Sequence, residues 1–228
     1  MNPGLLALLV LAAIHLFANR AKVLGWVWHG PFLSFASGLS LAYVFVDLLP
    51  ALERGEPVLK RTFEDVLPFL ELHTYLIALL GILFYYGIQS CKSSHKNQWL
   101  PISGYLLFNF FVGASLSDSS NPEIQPVTLF TIAIGMHYFV RDHLANVTKQ
   151  PAVLGALIFT LFAGYIIGYL TKIPDAVSAI GISFVAGGIL LNVFHYELPK
   201  KEKSGYLWFV FGALLYTAML LGVGEVRL

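Results

Sequence analysis

The sequence is short of charge and nearly devoid of cysteine. Asp, Glu, Lys and Arg make up 12% of its 228 residues, about half the share found in ordinary globular domains. That deficit excludes a water-soluble fold, and the 18 Phe and 11 Tyr exclude a disordered, solvating segment. A formal net charge of +1 offers no basic face to nucleic acid. The single cysteine, Cys91, excludes a disulfide framework and a cysteine-rich metal knuckle. Neither H-E-x-x-H nor G-x-S-x-G occurs, so two common hydrolase signatures are missing and the chain does not read as an enzyme. What is present is apolar: 57% hydrophobic residues and a mean hydropathy of +0.73. The chain reads as an all-α polytopic membrane protein whose first partner is the lipid bilayer.

A membrane-crossing helix needs about 20 mostly apolar residues. The sequence supplies eight candidates: Pro3–Phe17, Trp26–Leu49, Phe69–Ser90, Leu100–Leu116, Ile124–Val147, Val153–Leu170, Val177–Leu198 and Tyr206–Val223. They leave only short loops, so any chemistry is expected inside the bundle. The first candidate lacks a positive leading segment and is followed by Asn19-Arg20-Ala21-Lys22 rather than a small-residue cleavage site; it is expected to be a retained helix. Orientation follows from basic residues in the loops. Arg20, Lys22, Lys92, Lys96, Lys149, Lys200, Lys201 and Lys203 fall on one side. The other side carries Glu53, Glu56, Glu64, Asp65, Asp118, Glu123, Asp175 and Glu225 with fewer basic residues. Both termini are therefore expected outside the cytoplasm.

An internal repeat organises these spans. Ser34–Glu53, SFASGLSLAYVFVDLLPALE, and Ser183–Glu202, SFVAGGILLNVFHYELPKKE, coincide without a gap at nine of twenty positions. The two segments are the second and seventh spans and cross in opposite senses, the mark of inverted repeats whose interface commonly holds a transport site. The expected parsing is three helices (1–91), two central helices (98–148) and three helices (151–225). Ser34/Gly38, Ser183/Gly187 and Gly164/Gly168 are small-xxx-small pairs that let backbones approach closely. Pro50 and Pro199 are expected to end or kink their helices. Polar side chains fall one turn apart in both copies, Tyr43 with Asp47 and Asn192 with Tyr196.

These two segments resemble the second and seventh helices of the ZIP family of divalent-metal transporters. The resemblance implies an eight-helix 3+2+3 inverted-repeat bundle, homodimers, and a metal site on the fourth and fifth helices built from H-N-x-x-D-G and H-E-x-P-H-E motifs. Here those motifs align with Phe108-Asn109-Phe110-Phe111-Val112-Gly113 and His137-Tyr138-Phe139-Val140-Arg141-Asp142. Asn109, His137 and Asp142 are the ligands that the resemblance retains, for a divalent ion such as zinc carried as substrate. Phe108 and Val112 replace a histidine and a carboxylate, while Tyr138 and Arg141 replace a glutamate and the second histidine. Zinc wants four ligands, and a guanidinium about 5 Å from a divalent ion is repelled by roughly 7 kcal/mol at an effective dielectric near 20.

Ionisable residues inside a membrane default to functional roles. The expected transport path is Asp47, Asn109, His137, Arg141, Asp142, Asn192, His195 and Glu197. Asp47 is expected near the outer end of its helix, either recruiting cations or as a solvated charge. His195 and Glu197 are expected at the cytoplasmic end of the seventh span. His15 and His73 read as isolated polar residues. Two functions follow: a ZIP-like transporter moving a cation, or a ZIP-fold pseudo-transporter whose metal site is replaced by an Arg141/Asp142 pair, acting as sensor, scaffold or carrier of another solute.

Overall fold

The computed structural model describes residues 2–23, 29–66, 71–90, 99–117, 127–144, 150–171, 173–197 and 203–225. Among them the chain is helical and no strand occurs. The elements are α1 (Pro3–Val23), α2 (His29–Tyr43), α3 (Leu49–Phe63), α4 (His73–Ser90), α5 (Trp99–Ser117), α6 (Val127–Leu144), α7 (Pro151–Thr171), α8 (Asp175–Asn192) and α9 (Lys203–Glu225). Two π-helical segments interrupt this order, Val44–Leu48 between α2 and α3 and Val193–Glu197 after α8. Four described helices are long and apolar enough to cross a bilayer: Pro31–Phe63, Pro151–Thr171, Asp175–His195 and Gly205–Gly222. Pro3–Ala18 and Ile102–Ser117 are shorter apolar helices. Large apolar side chains such as Phe17, Leu83, Phe159, Leu170, Leu207 and Leu214 lie exposed on the outside of the bundle. An apolar exterior of this kind marks a surface that faces lipid.

The helices pack most closely in four pairs: α5 with α7, α2 with α9, α4 with α8, and α1 with α6. Glycine makes these contacts possible. A methyl on Gly38 would strike the Phe209 carbonyl, and one on Gly212 the Phe35 carbonyl. Across the α4–α8 contact the same reciprocity recurs, Gly187 against the Ala78 carbonyl and Gly81 against the Phe184 carbonyl. Gly113 and Gly164 lie in the same way against α7 and α5. With no side chain in the way, each backbone approaches to van der Waals range of its neighbour, the main source of helix affinity in lipid. The two π-helical segments begin 149 residues apart, the offset of the sequence repeat. Phe45 and Phe194, also 149 apart, meet edge to face with ring centroids 6.3 Å apart.

The second span differs from expectation. The helix does not stop at Leu49, and Pro50 does not end it; α3 continues to Phe63. The π-helical segment absorbs the proline. The Leu49 N–H reaches back to the Val44 carbonyl, so the chain enters α3 with one residue added to the turn and Pro50 in the first turn, where its missing N–H costs little. Pro199 and Cys91 lie outside the described residues. The prolonged helix delivers Glu56 to the start of α4. There the carboxylate accepts hydrogen bonds from the His73 and Thr74 amides at 2.9 and 2.8 Å and from the Thr74 hydroxyl at 2.8 Å, and it pairs with His73 Nδ1 at 2.8 Å. A carboxylate on orphan amides at a helix N-terminus is a cap. His73, expected to be isolated, is thus part of it, and Phe63 stacks on its ring. Glu56→Ala is expected to destabilise the purified protein by about 1–2 kcal/mol, the usual cost of a lost cap, read as a lowered thermal midpoint.

Candidate functional site

The buried polar residues of the central helices meet where α1, α5 and α6 adjoin. On α1 one stripe faces inward: Ala7, Leu8, Leu11, Ala12, His15 and Ala18 are all buried, a spacing of three and four residues. Leu5, Leu9, Leu16 and Phe17 occupy the outward side. His15, fully buried, therefore points into the bundle. Its Nδ1 lies 2.5 Å from Asp142 Oδ2 on α6, and its Nε2 lies 2.9 Å from Asn109 Oδ1 on α5. Asn109 donates its amide N–H to the Tyr105 carbonyl at 2.9 Å, which fixes Oδ1 as the atom turned toward His15.

Counting protons defines this network. Asn109 Oδ1 only accepts, so His15 Nε2 carries a proton. The second proton sits between His15 Nδ1 and Asp142. Whether it resides on the imidazole or the carboxyl, the pair is neutral as a unit. Tyr138, also fully buried, covers the imidazole with ring centroids 4.3 Å apart.

Arg141 does not pair with Asp142; successive helical residues project about 100° apart, and the two side chains take different partners. The guanidinium lies 3.5 Å from the centroid of the Tyr105 ring and 5.9 Å from that of Phe108. The expected Arg141/Asp142 ion pair is thereby corrected: Asp142 is held by His15, and Arg141 by aromatic faces. His137 is buried with its ring 5.6 Å from that of Phe108. Phe108 and Val112 are buried in the hydrophobic core.

Of the three expected metal ligands, Asn109 and Asp142 share one network, and His137 packs against Phe108. The structure brings Asn109 and Asp142 together through His15, which bridges them by its two ring nitrogens. Among the described residues no group of three or more His, Cys, Asp or Glu is placed to hold a metal ion. His15, which sequence reasoning treats as isolated, is the residue that joins the two; the signal for it was the small-residue stripe on α1, since Ala7, Ala12 and Ala18 share its face.

The remaining path residues take other positions. Asp47 is buried at 4% exposure inside the π-helical segment and is no solvated helix end. It accepts a hydrogen bond from the Tyr216 hydroxyl at 3.2 Å and lies 3.9 Å from Arg54. Tyr43 packs edge to face on Tyr216. Asn192 is buried and donates to the Gly188 carbonyl at 3.0 Å. His195 is exposed in the second π-helical segment. The side chains of Glu197 and Tyr196 lie outside what is described. No protein-family model matches the chain, and no curated protein matches it.

Proposed function

We propose that the chain is a ZIP-like membrane carrier of 3+2+3 inverted-repeat architecture whose central site is not a divalent-metal centre and serves a different solute. The observation that carries the architectural half is the recurrence of π-helical segments 149 residues apart, in register with the sequence repeat. Three further features support it. Exchanging the first three helical rods with the last three, and the two central ones with each other, turns the α2–α9 pair into α4–α8 and the α5–α7 pair into α1–α6. The glycine contacts of α2 with α9 exchange into those of α8 with α4. The Phe45–Phe194 contact joins a residue to its own repeat mate, as happens only beside a two-fold axis. On this reading the loop charges put both termini outside the cytoplasm.

The reading of the site is supported by the protonated His15 bridge and by the guanidinium of Arg141. With His15 and Asp142 neutral as a unit, Arg141 leaves the centre positive, which repels a divalent cation. Cation transport is the competing reading, resting on Asp47, His137 and Asp142. Zinc uptake into proteoliposomes separates the two. The expected result is uptake at the level of empty liposomes for the wild type and for Asp142→Ala alike; zinc flux that Asp142→Ala abolishes would overturn the proposal.

A further inference from the structure

We infer that Arg141, Tyr85 and Tyr138 form a binding site for a small monoanion of the planar oxyanion class, a carboxylate being the type. The inference rests on the reading that the central site is not a metal centre, and it names the solute class. Arg141 is 8% exposed, and its Nε and Nη2 meet no hydrogen-bond partner among the described residues. Burying a donor unmet costs about 1–3 kcal/mol, and more when it is charged. Those two nitrogens lie on one edge of the guanidinium. Their parallel N–H bonds match the two oxygens of a carboxylate. Tyr105 closes one face of the same group, so an edge, not a face, is what remains to be met.

Two more donors stand beside it. The hydroxyls of Tyr85 and Tyr138 are buried and have no hydrogen-bond partner among the described residues. Tyr138 stands one helical turn before Arg141 on α6, and Tyr85 packs on Gly104, the neighbour of the Tyr105 that covers the guanidinium. The Tyr85 ring is wedged between Gly104 of α5 and Gly188 of α8, where a methyl on either glycine would press on it. That wedge fixes where the hydroxyl points.

The other half of the molecule shows what such a tyrosine does with an acceptor. Tyr216 stands four residues after Gly212 as Tyr85 stands four after Gly81, and the Tyr216 hydroxyl is met by the Asp47 carboxylate. At Tyr85 the carboxylate is supplied from outside the chain. One guanidinium beside a neutral His15–Asp142 unit matches a single negative charge.

The test uses the purified full-length protein in detergent, with acetate and nitrate as probes and chloride at equal ionic strength as the control for charge alone. Acetate and nitrate are expected to raise the thermal midpoint saturably, and chloride is not. Arg141→Lys keeps the charge but loses the fork, and is expected to weaken apparent acetate affinity at least tenfold. Tyr85→Phe keeps the wedged ring, loses only the hydroxyl, and is expected to weaken it severalfold; it carries the test if Arg141→Lys does not fold. No saturable effect on the wild type, an equal effect of chloride, or unchanged affinity in the variants would each overturn the inference. Zinc flux dependent on Asp142 would instead sink the underlying reading, whatever acetate does; silence toward both zinc and acetate removes this inference alone.

Discussion

His15→Ala is expected to cost about 3–5 kcal/mol of stability, the usual effect of stripping one partner from a buried acid–base pair. For a chain of this size that corresponds to a fall of roughly 6–20 °C in the thermal midpoint. The residue contributes two hydrogen bonds, at 2.5 and 2.9 Å, and without it the Asp142 carboxyl is left in an apolar bundle while Asn109 loses the donor to its carbonyl oxygen. Asp142→Ala is expected to cost a comparable amount, since it abandons the proton-bearing imidazole. The informative variant is the double one. With both members gone no charge remains to be solvated, so the double variant is expected to be clearly less destabilised than the two single losses added together. Thermal midpoints of the four proteins in one detergent measure this; strictly additive losses, or a His15→Ala protein as stable as the wild type, would remove the network from the account of what holds α1 to α6.

The second large effect belongs to the glycines. Gly38→Ala places a methyl against the Phe209 carbonyl and Gly187→Ala places one against the Ala78 carbonyl. Backbone atoms cannot rotate away as a side chain does, so each helix pair must separate. Overpacking costs typically about 1–3 kcal/mol. The two substitutions are expected to cost similar amounts because their surroundings match, as are Gly81→Ala and Gly212→Ala on the reciprocal sides. Larger replacements such as Gly38→Leu are expected to abolish folded protein, seen as loss of the monodisperse peak in size-exclusion chromatography. At Gly87 and Gly155 a methyl would meet, among the described residues, no atom within 4 Å beyond its own stretch of helix. Alanine there is expected to be neutral or mildly stabilising, since it favours the helix by about 0.8–1.0 kcal/mol. If Gly87→Ala proved as damaging as Gly38→Ala, close backbone approach would not be the cause.

The helical class and the repeat were legible in the sequence because both rest on local pattern. Apolar runs give membrane helices directly, and the shared Ser and Gly positions of the two copies mark surfaces that touch other helices rather than lipid. The glycines in those copies sit against neighbouring backbones, as small-xxx-small spacing implies. Helix ends were less legible. Pro50 looks like a terminator, yet a π-helical turn ahead of it is defined only by which carbonyl each N–H selects, and no residue type announces that choice. For the same reason Asp47 read as a helix-end charge although it is buried against Tyr216. The site was half legible. That Phe108 and Val112 offer no metal donor is plain from their residue types alone. The role of His15 depended on α1 meeting α6, a contact across 127 residues of sequence, and an adjacent pair such as Arg141 and Asp142 invited a salt bridge that helical projection forbids.

The wide turn at Val44–Leu48 also sets the phase of everything after it. Each residue advances a helix by about 100°, so removing one from that turn would swing α3 by more than a quarter of a circle. Leu52 and Leu59, buried at 1% and 0% exposure, would rotate off their packing surface, and Glu56 would leave the amides of His73 and Thr74. The extra residue works as an angular shim: it keeps the apolar face of α2 against α9 while aiming the next fifteen residues at a different neighbour.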